Sequence, residues 1–269
     1  MQTEHIIDSS ATTRIIAIAN QKGGVGKTTT AINLATALAA IDQRVLMIDL
    51  DPQGNASTGM GIGVEHRTLN TYHVLMGETP IDSAILPTQI PGLNIIPSGI
   101  DLSGAEIELI DMERREFRLR ETLSQEVGKY DYVLIDCPPS LNILTINALV
   151  AAQAVLVPLQ CEFFALEGIS MLIRTIDRVK RGLNPGLDIQ GIVLTMHDQR
   201  NNLSQMVAND VREYFGDKVY KTVIPRNVKI SEAPSHGRPV LVYDVNCAGS
   251  KAYLSLAGEI IHRERRVPA

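Results

Sequence analysis

Lys22-Gly-Gly-Val-Gly-Lys-Thr-Thr29 lies between an apolar, β-branched run, Arg14 to Ala19 (RIIAIA), and an alanine- and leucine-rich stretch from Thr28 to Ala40. The run reads as a buried strand and the stretch as a helix, so the glycines fall at a strand-to-helix turn. Glycine there permits unusual φ values and lets backbone N–H groups approach an anion. The helix N-terminus adds unpaired N–H groups and a partial positive charge. Measured back from Gly26-Lys27-Thr28, the phosphate-loop pattern G-x-x-x-x-G-K-[ST] places its first glycine at position 21, where Gln21 stands. Gly23, Gly24 and Gly26 close around Val25 instead, and an additional cation, Lys22, stands at the mouth of the loop. Lys27 is expected to reach the β- and γ-phosphates of a nucleotide, and the Thr28 hydroxyl to take a Mg²⁺ position.

Outward from the loop, strand-like and helix-like segments alternate. Apolar runs occur at 45–50, 93–96, 132–135, 154–159, 189–195 and 219–224, and helical periodicity at 106–127, 141–152, 166–181, 203–215 and 251–263. Near-continuous apolar strands separated by helices predict an α/β fold, a mostly parallel twisted sheet with helices on both faces. No linker or repeat divides the chain, which reads as an N-terminal extension over 1–13 and one P-loop domain over 14–269. In such sheets ligands bind beyond the carboxyl ends of the strands, where the glycine loop falls.

Composition agrees with a soluble cytoplasmic protein. At 269 residues and 45% hydrophobic content the chain can bury a large core, and no apolar run approaches the ~18 residues needed to cross a bilayer. The N-terminus carries Glu4 and Asp8 and does not read as a signal peptide. Cys137, Cys161 and Cys247 are odd in number and far apart, which argues against a disulfide framework.

Two acidic strand ends complete a candidate nucleotide site. In Val45-Leu-Met-Ile-Asp-Leu-Asp-Pro-Gln-Gly-Asn55 a buried run passes through Asp49 into Asp51 and a turn; in Asp131-Tyr-Val-Leu-Ile-Asp-Cys-Pro-Pro139 four apolar residues end in Asp136. Such an aspartate commonly holds Mg²⁺ directly or through water, because a hard cation prefers oxygen ligands. Asp51 is the better placed to orient an attacking water, since the turn after it can carry it toward the γ-phosphate.

Four blocks together resemble the ParA/Soj family of partition ATPases: Asn20-Gln-Lys-Gly-Gly-Val-Gly-Lys-Thr28, Asp49-Leu-Asp-Pro-Gln-Gly-Asn55, Asp136-Cys-Pro-Pro-Ser140, and the stretch from Ile224 to Pro239 that opens Ile-Pro-Arg-Asn-Val-Lys. The first is a deviant Walker A motif shared with MinD, and the last is more specific to partition ATPases. The segment before the first strand is expected to be too short for a helix-turn-helix domain, as in the small chromosomal type. The resemblance implies that Lys22 crosses the interface of an ATP-sandwich dimer to the partner's phosphates, in the logic of an arginine finger. It implies that Asp51 positions or activates water, that Thr28 with Asp51 or Asp136 organises Mg²⁺, and that Thr29 helps bind the α-phosphate. Met196, Pro225 and Asn227 become candidates for holding adenine. The implied partners are nonspecific duplex DNA and a ParB-type centromere-binding protein that stimulates hydrolysis, and the implied location is the nucleoid.

Net charge is −5, yet from position 190 onward 11 Lys and Arg face 8 Asp and Glu. Clustered cations suffice for phosphate contacts. Arg200, Arg226 and Lys229 are the chosen candidates, with Lys221, Lys251, Arg263, Arg265 and Arg266 as additions. Lysine at 229 departs from the family's arginine and loses the bidentate fork. With no tryptophan and 4% aromatic residues there is little for base stacking, so salt-sensitive, sequence-independent binding is expected. The alternative, a MinD-like membrane-cycling ATPase, needs a terminal amphipathic anchor, whereas Leu256 to Ala269 more simply completes a packed helix. An iron–sulfur relative would need cysteines that this spacing does not provide.

Overall fold

Strand β1 (Arg14–Ile18) enters the centre of an eight-stranded sheet and leaves through the glycine loop into α1 (Lys27–Ala39). The computed structural model describes residues 13–126, 128–162 and 165–265. Nearly all of the expected 1–13 extension lies outside these, as does Val127. After α1 come β2 (Val45–Asp49), α2 (Asn55–Gly59), α3 (Thr71–Met76), β3 (Leu86–Pro87), β4 (Leu93–Ile96), α4 (Leu102–Glu108) and α5 (Arg118–Leu123). The middle of the chain holds β5 (Tyr132–Asp136), α6 (Ile143–Ala151), β6 (Ala154–Gln160) and α7 (Ala165–Gly182). It closes with β7 (Asp188–His197), α8 (Asn202–Phe215), β8 (Val219–Pro225), α9 (Val228–Glu232), α10 (Val240–Tyr243) and α11 (Ala248–Glu264).

Strand order is β3-β4-β2-β5-β1-β6-β7-β8, parallel throughout except for β3 at the edge. Alternation along β1 shows why its sequence is apolar at every position. Ile16 and Ile18 face a layer built by Leu34 and Leu38 of α1 and Leu256 and Ile260 of α11, while Ile15 and Ala17 face the layer formed by α3 to α8. Helix α1 is buried on nearly all sides, its alanines allowing close approach to both sheet and α11.

The fold class matches the sequence reading; one helix does not. The expected 106–127 helix is two short ones, α4 and α5, separated by a turn in which Arg114 adopts φ 53°. Its helical periodicity drew on Ile107 and Ile110, which the fold leaves 72% and 58% exposed. Leu109 is buried in a single short turn and Met112 and Phe117 pack only partly against the core, so the segment 109–117 lacks the continuous apolar face that would hold it as one helix.

Register places the site. Asp49 at the end of β2 lies beside Asp136 at the end of β5, and Asp136 in turn lies beside Ile18 at the end of β1. The glycine loop and both aspartates therefore converge at one edge, the carboxyl end of the central strands.

Candidate nucleotide site

Gly24 and Gly26 take φ 72° and 86°, the left-handed region that other residues adopt with strain, and Gly26 is the N-terminal cap of α1. A Cβ built on Gly23 or Gly24 meets nothing within 4 Å, so the loop surrounds open space. The groove in front of it has a volume of about 500 Å³ and is lined by Gly23, Lys27, Thr28, Asp51, Gln53 and Pro139, among others.

Lys27 is buried, and its Nζ donates to the Lys22 carbonyl at 3.0 Å. Burial lowers its pKa, an effect opposed chiefly by Asp136. Lys22 turns within its own chain to Glu162, with Nζ 2.6 Å from Oε2. Both lysines of the loop are thus held by acceptors of the protein itself.

The paired aspartates differ sharply. Asp49 is satisfied by α2, its Oδ2 accepting from the Ser57 amide at 2.8 Å and from the Ser57 hydroxyl at 2.6 Å. Burial still pushes it up to about 6. Asp136 is equally buried, but neither of its carboxylate oxygens has a hydrogen-bond partner, and the nearby Thr28 hydroxyl gives only partial relief. Burial, reinforced by the charge on Asp49, raises it well above the usual carboxylate range. Asp51 is placed by its own turn: Oδ1 accepts from the Gln53 amide at 3.0 Å, and its amide donates to Asp49 Oδ1 at 3.3 Å.

A second cleft of about 330 Å³ continues the groove, sharing Gly26, Thr29, Met196 and Pro234 with it. Met196, Pro225 and Asn227, the expected adenine residues, all line this cleft. Met196 holds φ 50°, a strained conformation for a side chain of its size. Asn227 is also the cap of α9, accepting from the Lys229 amide at 2.9 Å. Thr195, Ile224, Ile230 and Tyr253 line the cleft too and went unnoticed in the sequence. The carboxyl-end rule could have found Thr195 and Ile224; nothing local marks Tyr253 on α11.

A third, basic groove of about 1050 Å³ lies beside the cleft and shares Pro225 and Arg226 with it. Arg200, Lys221, Arg226 and Lys251 line it, brought together from the β7–α8 loop, β8, the residue after β8, and α11. His197 and Arg212 join them unforeseen. Arg200 is paired with Asp198 at 3.1 Å on the surface. Lys229 lies apart from this groove; it pairs with Glu232 at 2.9 Å and sits over the Tyr243 ring. Arg263 is committed to the fold, stacked 4.0 Å over Tyr220 and donating to the carbonyls of Asp217 and Val219. Arg265 is exposed at the end of α11, and Arg266 lies outside the described residues.

A parallel sheet whose first strand turns through a glycine loop, beside an unsatisfied carboxylate and a cleft of base size, defines a P-loop nucleotide-binding protein. A family model for an AAA domain matches residues 13–189. The chromosome partitioning protein ParA of Caulobacter vibrioides is 65% identical over 254 residues, 94% of this chain and 95% of that protein. The sporulation initiation inhibitor protein Soj of Bacillus subtilis is 51% identical, covering 92% and 98%. Among solved structures, cobyrinic acid a,c-diamide synthase from Mycobacterium smegmatis, with bound ADP and magnesium, has a TM-score of 0.83 at 36% identity, covering 94% and 96%. The chain belongs to the ParA/Soj family of chromosome-partitioning ATPases.

Proposed function

We propose that this chain is an ATP-timed DNA clamp: ATP binding joins two copies, the dimer holds duplex DNA without sequence preference, and hydrolysis, stimulated by a ParB-type partner, releases it. The observation that carries the reading is the shared edge at Pro225 and Arg226, where the base-side cleft and the basic groove meet. A nucleotide in the cleft touches the same short segment that aims Arg226 at a phosphate backbone. Joining two basic grooves in one dimer raises the effective concentration of each for the same DNA.

In this reading the glycine-loop amides and Lys27 bind the phosphates, Thr29 supports the α-phosphate, and the cleft holds adenine. Asp136 fits a magnesium ion, because two buried carboxylate oxygens without partners beside Thr28 are what a hard cation would satisfy. Bound there with Thr28 or Asp51, magnesium would neutralise charge on the transferred phosphoryl group. Asp51 orients the attacking water from the rim of the groove. Lys22 leaves Glu162 and reaches the partner's phosphates, which makes dimerisation depend on nucleotide. The protein acts in the cytoplasm, on the nucleoid.

Fluorescence anisotropy with a random-sequence duplex tests the proposal. Affinity should be highest with ATP, low with ADP or no nucleotide, and fall steeply with salt. Equal affinity in all three states would sink it. Lys22→Ala should abolish the ATP-dependent gain by preventing dimerisation, seen in parallel by light scattering.

A further inference from the structure

Arg67 is a buried cation without an ion pair among the described residues. A buried guanidinium is costly unless its donors are all satisfied. Here its acceptors are backbone and hydroxyl oxygens, all but one of them in residues 54–62. Nε and Nη2 donate to the Ile62 carbonyl at 3.1 and 2.7 Å, Nη2 also donates to the Thr58 hydroxyl at 2.7 Å, and Nη1 reaches the carbonyls of Gly54 at 3.3 Å and Ser98 at 3.5 Å. Thr58 in turn donates to Gly54, closing the ring. Space around the fork is filled: a Cβ on Gly54, which takes φ 61°, would stand 2.5 Å from Nη1.

That segment has two sides. Its back, the carbonyls of Gly54 and Ile62, is gripped by Arg67. Its front, with Asp51, Gln53, Asn55 and Thr58, lines the phosphate groove. Asp51 is held by the turn to Gln53 and by its amide on Asp49, and the middle of the segment is pinned at Ser57, which donates twice to Asp49 and accepts from the Ser98 amide; its two ends, Gly54 and Ile62, are the points that Arg67 grips. A planar fork contacting Gly54, Thr58 and Ile62 together fixes the curvature of the whole loop, which a lysine at one point could not do.

We propose that Arg67 is a positioning residue for ATP hydrolysis: by gripping the back of residues 54–62 it keeps Asp51 and its neighbours at the distance from the γ-phosphate that the attacking water needs. The proposal rests on the reading of Asp51 as the water-orienting residue. Arg67 touches neither substrate nor water. Its effect is confined to hydrolysis, because the glycine loop, Lys27 and the base-side cleft stand on other elements.

The test compares wild type, Arg67→Lys, Arg67→Met and Arg67→Ala in the full chain. Phosphate release at saturating ATP should fall about tenfold in Arg67→Met and nearly as far in Arg67→Lys, as a small misplacement of a catalytic geometry does. Affinity for fluorescent mant-ADP should stay within about twofold of wild type. Millimolar guanidinium should restore rate to Arg67→Ala and leave Arg67→Lys unchanged. Wild-type turnover in Arg67→Met, or ADP affinity falling as far as turnover, would overturn the proposal. If Arg67→Met does not fold, Arg67→Lys decides by the same split. Asp51→Ala separates the two readings: normal hydrolysis there removes the water-orienting role from Asp51, while slow hydrolysis there with normal turnover in the Arg67 variants removes the brace alone.

Discussion

The phosphate groove and the basic groove meet at Pro225 and Arg226, yet they are built by opposite means. The loop from Gly23 to Thr29 lines one continuous stretch of the first, all but Val25 taking part, and its positions follow from two positive-φ glycines and the start of α1, with Asp51 to Gly59 supplying a second stretch. The second is assembled from four separate parts of the C-terminal third, each contributing one or two basic side chains. A local site is rigid and chemically specified, whereas an assembled one is a field whose members are partly interchangeable. Substitutions should therefore be severe and all-or-none in one groove, graded and additive in the other.

Lys27→Ala should produce the largest effect. Losing a buried, charge-assisted contact to phosphate costs about 2–3 kcal/mol, so affinity for a fluorescent ATP analogue should drop roughly 30- to 150-fold. A loss below about fivefold would mean that the loop amides alone hold the phosphates, and the contrast between the grooves would weaken.

Asp136→Asn sharpens the comparison from the side of stability. Two buried carboxylate oxygens without partners destabilise the nucleotide-free fold, so the amide should stabilise it while impairing hydrolysis. A gain of about 1–2 kcal/mol corresponds to a melting temperature higher by roughly 2–6 °C. The same exchange at Asp49 should destabilise, because Oδ2 accepts two bonds from Ser57 and Oδ1 one from the Asp51 amide, and a side-chain amide can accept at only one atom. Equal shifts at the two positions in calorimetry would remove the distinction between a carboxylate held for chemistry and one held for the fold.

This difference between the aspartates marks the limit of what the sequence discloses. Both end apolar strands and both looked alike until register placed them side by side and α2 satisfied only one. The loop and the central strands were legible because apolar periodicity and glycine spacing are local; Met196, Pro225 and Asn227 were drawn only from their place after the late strands, and the fold gathers them along one cleft. Tyr253 and Arg212 were not, since their places are set by packing of α11 and α8 against distant strands. Lys229 and Arg263 show the converse: they share the sign of the groove's cations, but Glu232 and Tyr220 have already engaged them. Arg67 carries no local signal at all, because its carbonyl partners become neighbours only when residues 54–62 fold back.

In the basic groove Arg226→Ala and Lys251→Ala should each weaken binding to random duplex by a few-fold and lower the salt slope by about one. Lys229→Ala should change neither beyond about 1.5-fold, since its charge is engaged by Glu232 and its removal exposes no groove phosphate contact. A double Arg226→Ala, Lys251→Ala variant should be close to the product of the two, as expected for members of a field. Equal losses at Lys229 and Arg226, measured by anisotropy across a salt series, would move the DNA surface toward α9.

His197 offers the finest discrimination, because it lines the basic groove where strand β7 ends, next to Met196 of the base-side cleft. Burial holds its pKa below the usual 6.5; Arg212 presses it the same way and Asp198 opposes. It is therefore neutral at pH 7 in the free protein. A bound phosphate backbone favours the charged imidazolium and raises that pKa. Affinity then increases as pH falls through the interval between the raised bound value and the lowered free value, and levels off below the latter. Between pH 7.5 and 6 the gain should be about twofold, and His197→Gln should flatten it while leaving affinity at pH 7.5 unchanged. An unaltered pH profile in that variant would place the DNA backbone away from the β7 end of the groove.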